Sequence, residues 1–166
     1  MASQLPSTMK AIVVNGNKAK VSDRSLPKLR PTYLLAKVDS IALNPTDWKH
    51  ISGKRAGTDS LSGCDFSGTV VEVGDKVQKS FKPGDRIAGT AHGANASEKE
   101  DGTFAEYVMV KGDLMVKLPD SLKFEDAATF PLGVGTVGQG LFQKAVKLNM
   151  PTEPHTGGEM IMIYVS

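Results

Sequence analysis

The sequence predicts a mainly β domain with short helices, built as a β-barrel or sandwich. Short apolar, β-branched runs recur at close spacing up to Leu118, which is the signature of many short strands. Seventeen glycines and nine prolines are spread among these runs and supply turns between them. At Pro119 the texture changes to alanine, glycine and acidic residues, so the helices fall in the last third.

Residues 9–14 read as the first strand and 18–21 as its return. Asn15-Gly16-Asn17 joins them as a type I′ hairpin turn, whose two central positions want φ > 0. Residues 25–31 form a proline-punctuated loop, and 33–43 are the longest strand candidate. That strand ends in Asn44-Pro45-Thr46-Asp47-Trp48-Lys49. The residue before a proline is pushed out of the α region and proline offers no ladder donor, so the strand stops there. Thr46-Asp47 then reads as a helix start, with a hydroxyl or a carboxylate as cap. Five functional groups share this strand-to-helix corner.

Residues 51–60 are polar loop. In 62–74, Gly63 and Gly68 bracket Cys64-Asp65-Phe66, which predicts a tight bend where backbone meets backbone or a ligand. A β-branched strand follows. Pro83-Gly84 gives type II turn chemistry ahead of a strand at Arg86-Ile87. Residues 90–102 are a loop whose run Glu98-Lys99-Glu100-Asp101 reads as a solvated face. Residues 103–110 and 114–118 read as strands. Residues 121–130 read as a short helix capped by Ser121, and the glycine-rich stretch 131–140 leads into an apolar helix over 141–148. Residues 149–158 read as linker. Residues 159–166 read as a strand of the kind buried on both faces of a parallel sheet.

A chain of 166 residues makes one domain, or one with an appendage, and buries a real core. A formal charge of +2 with scattered basic residues excludes a dedicated nucleic-acid or anionic-membrane surface. The lone Cys64 excludes an intramolecular disulfide and any multi-cysteine zinc site. There is no signal-peptide pattern and no apolar run of transmembrane length, so a soluble, cytoplasmic protein is the default expectation.

Taken in order, the motifs Asn44-Pro45-Thr46-Asp47-Trp48-Lys49, Gly63-Cys64-Asp65-Phe66-Ser67-Gly68, Gly84-Asp85-Arg86-Ile87, Gly102-Thr103-Phe104-Ala105-Glu106-Tyr107 and Phe124-Glu125-Asp126-Ala127-Ala128, followed by Thr136, resemble the N-terminal, GroES-like catalytic domain of the medium-chain dehydrogenase/reductase superfamily. Within it they are most similar to the zinc-independent trans-acting enoyl reductases of fungal polyketide biosynthesis. The resemblance spans about residues 10–166. It implies a GroES-like β-barrel over 9–148 after a tail at 1–8, a linker at 149–158, and at 159–166 the first strand of a Rossmann nucleotide-binding domain. By the family's standard the chain is then an N-terminal fragment, with most of the NADPH surface absent.

Zinc-dependent relatives need a thiolate near the first motif and an imidazole with a carboxylate near the second. Here those places hold Asn44 and Cys64-Asp65, and the loop 90–102 lacks the four cysteines of the structural zinc lobe. His50, His92 and His155 are scattered. No metal is expected, and Cys64 reads as a small buried hydrophobe.

The resemblance implies roles for particular residues. Thr46, Asp47, Trp48 and Lys49 would line the nicotinamide end of NADPH, with Thr136 hydrogen-bonding near it; a solvated helix lysine and a helix N-cap are the plain alternatives for Lys49 and Thr136. Thr136, Val137, Gly138, Gln139, Gly140, Leu141, Phe142 and Gln143 would line the acyl channel. The implied reaction is hydride addition to the β-carbon of an α,β-unsaturated thioester, then protonation of the enolate. Catalytic candidates are Lys49, Asp65 and Tyr107, and the proton donor stays open among Asp65, Tyr107 and water. The implied partner is a polyketide synthase or its carrier-bound acyl chain. Three functions remain open: an NADPH-dependent enoyl reductase that is weak or inactive alone, a non-enzymatic GroES-like binding or scaffold module, and a zinc-independent quinone or alkenal reductase relative. Apolar faces at 141–148 and 160–165 predict self-association.

Overall fold

The computed structural model describes residues 5–53, 55–144, 146–153, 157 and 162. The chain divides into two compact units, Met1–Gly133 and Val134–Ser166.

The first unit holds two antiparallel sheets. The smaller has the order β2-β1-β4, from β1 (Thr8–Asn15), β2 (Lys18–Ser25) and β4 (Ser60–Leu61). The larger has the order β7-β3-β5-β6-β8, from β3 (Tyr33–Ala42), β5 (Asp65–Val73), β6 (Arg86–Thr90), β7 (Tyr107–Lys111) and β8 (Val116–Lys117). On β1, Met9, Ala11 and Val13 are buried while Thr8 and Lys10 are exposed, the period-2 pattern of a half-buried strand. These three pack with Leu61. The larger sheet buries Leu34, Ala36, Phe66, Val70, Ile87, Val108, Val110 and Met115 as one cluster; each large side chain there contributes about 1.5–3 kcal/mol. α2 (Phe124–Ala128) packs on β3, β5 and β6 with Ala127 and Ala128 fully buried. Among the described residues no helix is long and apolar enough to cross a membrane.

Residues 103–106 were expected to open a strand and do not. They stitch the two sheets together instead. Ile12 N–H donates to the Phe104 carbonyl (2.8 Å), Glu106 N–H to Lys10 (3.0 Å), and Val38 N–H to Glu106 (2.9 Å). A stretch shared between two sheets cannot lie flat in either ladder. Two glycines make close packing possible at the start of β5. Gly63 has φ +97°, and a Cβ there would meet the Phe104 ring and its backbone nitrogen. Gly68 faces the β-bulge of β3 between Val38 and Ser40, where a Cβ would strike the Lys37 carbonyl. Backbone thus meets backbone here as expected, but Asp65 and Phe66 already belong to the strand and the bend is at Gly63 alone.

Other expectations need correction. At the first hairpin Gly16 has φ +64° while Asn17 stays out of the positive region. That is the pattern of a type II′ turn, with glycine at its first central position, not type I′. The strand expected at 114–118 is a 3₁₀ turn at Gly112–Leu114 followed by the two-residue β8. The helix expected at 121–130 shrinks to α2, with Lys123 rather than Ser121 at its cap. Arg86 explains the loss: its guanidinium donates to the carbonyls of Pro119 (2.8 Å) and Leu122 (2.6 Å), which holds that stretch out of the helix. The acidic run at 98–101 is not simply solvated. Arg30 bridges Glu98 (2.8 Å) and Asp101 (2.5 Å), and its guanidinium lies 3.7 Å over the Tyr33 ring. Pro83-Gly84 behaves as expected, with Gly84 at φ +91° and Asp85 N–H closing onto Lys82 at 3.1 Å.

The glycine-rich stretch after 131 is itself helical. α3 (Pro131–Gly138) is followed by a π-helical turn at Gln139–Lys144, in place of the helix expected at 141–148. Pro131 suits a first helical position because its φ is already set and its missing N–H is not needed there. Residues 146–153 are irregular or turn. Of the strand expected over 159–166 only Met162 is described, and it is exposed; the rest lies outside the described residues.

Candidate functional site

β3 leaves its sheet at Ala42, and Leu43 and Asn44 turn the chain into α1 (Pro45–Ser52). Asn44 is extended, at φ −122° and ψ 152°, as a residue before proline must be. It is the cap, two residues before the expected Thr46 and three before Asp47, because Pro45 fills the first helical position without needing a partner. The Asn44 N–H donates to Asp47 Oδ2 at 2.7 Å, while the Asp47 N–H donates back to the Asn44 carbonyl at 3.0 Å. A carboxylate at this third helical position also sits favourably at the positive end of the helix.

This reciprocal cap sorts the corner into two sets. Asn44 and Asp47 work inward, and Asp47 is 6% exposed. Trp48 is 59% exposed and Lys49 is exposed. The Lys49 ammonium stands 5.6 Å from the indole centroid, within cation–π reach. Thr46 is half-buried, with its hydroxyl 3.5 Å from His50 Nδ1. The His50 and His92 rings lie 6.1 Å apart.

Behind the corner stands Asp65, first residue of β5 and fully buried. It pairs with Ala42 on one side and Thr90 on the other, so its root is fixed by two ladders. Asn44 Nδ2 donates to its Oδ2 at 3.0 Å, and Leu132 N–H, in the first turn of α3, donates to its Oδ1 at 2.9 Å. Burial pushes the Asp65 carboxyl above its ordinary value, and the bonds from Asn44 and Leu132 pull against that. Next to it the Cys64 thiol is buried. Desolvation first, then the Asp47 charge, push it up to about 12, so it has no thiolate character near neutrality. Among the described residues no group of three or more His, Cys, Asp or Glu is placed to hold a metal ion.

The expected site residues do not all converge. Thr46, Asp47, Trp48, Lys49 and Asp65 share one end of the larger sheet. Tyr107 pairs with Lys37 on β3, five positions from the Ala42 that pairs with Asp65. With ~3.3 Å per residue along β3 and two strand spacings of ~4.8 Å across it, their backbones are about 19 Å apart, and Tyr107 packs against the Met9 cluster. Thr136, Val137 and Gly138 lie on α3, and Gln139, Gly140, Leu141, Phe142 and Gln143 on the π-helical turn. These eight belong to the second unit. The Asn44–Asp65 bond and the hold of Asp65 on α3 were not foreseen. One signal for them was available: an acid between Cys64 and Phe66 at a buried strand start must find donors.

Comparison with known proteins gives a consistent picture. Residues 30–120 match the alcohol dehydrogenase GroES-like domain family. The chain is 51% identical over 157 residues to the trans-enoyl reductase TOXD of Cochliobolus carbonum, a match covering 93% of this chain and 52% of that protein. It is 47% identical over 154 residues to the trans-enoyl reductase resD of Aspergillus sclerotiorum, covering 90% and 43%. The chain thus spans about half the length of the curated relatives it matches. Among solved structures, the quinone oxidoreductase from Coxiella burnetii superposes with a TM-score of 0.68 at 31% identity, over 82% of this chain and 45% of that one.

Proposed function

Because the chain belongs to the alcohol dehydrogenase GroES-like domain family, we propose that it serves an enoyl reductase reaction: reduction of an α,β-unsaturated thioester carried by a polyketide synthase, with NADPH as the reductant. When bound, the cofactor supplies a hydride to the β-carbon of the substrate. The chain's own residues bind and orient. Lys49 gives a mobile cation for a phosphate or ribose edge. Trp48 gives a flat apolar cover that keeps water from a nicotinamide ring, and the Thr46 hydroxyl gives a hydrogen bond beside it. The resemblance further assigns Thr136 a bond near the nicotinamide and residues 137–143 contact with the acyl chain.

The observation that supports this reading best is the sorting of α1. Its acid is turned inward, with Oδ2 as a cap, while its indole and ammonium are presented outward. A helix that served only as a lid on the core would turn the tryptophan in. The donor set therefore fits the nicotinamide end of a dinucleotide.

Titration of NADPH into the full chain, followed by nicotinamide fluorescence, tests the reading. Saturable binding in the micromolar range is expected, weakened about ten-fold by Lys49→Ala, the loss of one charge-assisted bond. Absence of binding at millimolar NADPH would remove it and leave a non-enzymatic binding module. The likeness to a quinone oxidoreductase favours a second reading, reduction of a quinone or alkenal. Turnover of a quinone with no turnover of an enoyl thioester would select it.

A further inference from the structure

We propose that Asp65 is a positioning residue, whose carboxylate ties the first turn of α3 to the cap of α1 and so holds the outward face of α1 in place. The inference rests on the reading of α1 as a cofactor edge for its consequence, but the tie itself is separable from it.

Asp65 carries two donors from two different elements, the side-chain amide of Asn44 at 3.0 Å and the backbone N–H of Leu132 at 2.9 Å. Asn44 is the residue whose own N–H is held by Asp47 at 2.7 Å. A continuous path therefore runs from the start of α3 through Asp65 and Asn44 to Asp47, which lies between Thr46 and Trp48. The root of the path does not move. Asp65 is laddered to Ala42 and Thr90, and its carbonyl accepts the Thr103 hydroxyl at 3.1 Å.

The choice of an acid is informative. A buried carboxylate is costly, and a fully buried position normally selects an apolar residue. Two converging N–H donors need two acceptor oxygens, and a carboxylate alone offers both without presenting a donor of its own. An asparagine would turn an NH₂ toward one of them. With both oxygens occupied, Asp65 serves geometry and does not act as the proton source for an enolate.

The swap of the Asn44–Asp65 pair tests this. In Asp65→Asn, and separately in Asn44→Asp, the amides of Leu132, Trp48 and Lys49 should exchange with solvent at least ten-fold faster, and NADPH should bind about ten-fold more weakly. In the double variant Asn44→Asp/Asp65→Asn, the amide oxygen introduced on β5 again accepts from Leu132, and the NH₂ beside it donates to the carboxylate introduced at the helix cap. Exchange and affinity should then both return to within about three-fold of the parent. Unchanged exchange at Leu132 in the single variants would overturn the proposal. So would faster exchange at Leu132 with Trp48 and Lys49 unaffected, or loss without rescue in the swap. If exchange at all three amides responds and is rescued while the parent chain binds no NADPH, the tie stands and the cofactor reading falls.

Discussion

Gly63 and Gly84 share a left-handed backbone, at φ +97° and +91°, and differ in their surroundings. Nothing lies within 4 Å of a Cβ on Gly84, whereas one on Gly63 would meet the Phe104 ring and, at 2.7 Å, its backbone nitrogen. Gly84→Ala should therefore cost about 1 kcal/mol of backbone strain alone, and Gly63→Ala about 3 kcal/mol or more with overpacking added. Urea denaturation measures both, and equal costs would contradict the packing. Two carboxylates should also act with opposite sign on pH. Lys117, 2.8 Å from Asp85, holds that carboxyl below its ordinary value against partial desolvation. Its contribution is present above the unfolded value of about 3.9 and is lost as pH falls through the lower folded value. Asp65 is raised by burial, so its contribution is present below about pH 3.9 and is lost as pH rises through the folded value. Asp85→Asn should flatten the acid side of a stability–pH curve, and Asp65→Asn the decline above it. Either variant leaving its limb intact would refute the assignment.

Arg86 shows what one residue does for an element. Its guanidinium takes the carbonyls of Pro119 and Leu122 and lies 4.3 Å over the Phe124 ring, which sets where α2 begins. Arg86→Lys keeps the charge but loses the planar fork. It should cost about 1–2 kcal/mol and speed amide exchange in α2; an unchanged α2 would remove Arg86 from that role. Elements shaped by near neighbours were legible in the sequence. The alternation of Met9, Ala11 and Val13 marked β1, and Asn44-Pro45 marked the end of β3. Elements shaped from afar were not. The helix at Pro131 has its first turn held by Asp65, 67 residues away, so a glycine-rich stretch that propensity disfavours by ~1 kcal/mol per glycine still folds as helix. Ser121 looked like a cap because its competitor, Arg86, belongs to another strand. The outward residues of the candidate site were readable from the corner, but the Asn44–Asp65 bond was not, since 21 positions separate its partners.

At the scale of the whole first unit, the stretch 103–106 is what makes two sheets one structure. Its carbonyls and amides reach Ile12, Lys10 and Val38, and Gly102 and Gly63 let it pass close to neighbouring backbone. The amides of β1 and β3 should therefore open in a single cooperative step, with equal exchange free energies. A β1 that exchanges well below β3 would show that the sheets are independent. The exposed face of α1 carries a practical consequence as well. Trp48 is the only tryptophan of the chain, so every photon of indole emission originates at the corner. Reduced nicotinamide absorbs where indole emits, and a dinucleotide seated beside Trp48 would drain that emission by resonance energy transfer. The protein is thus its own unlabelled optical gauge of site occupancy, and the silence of the rest of the chain keeps the reading local.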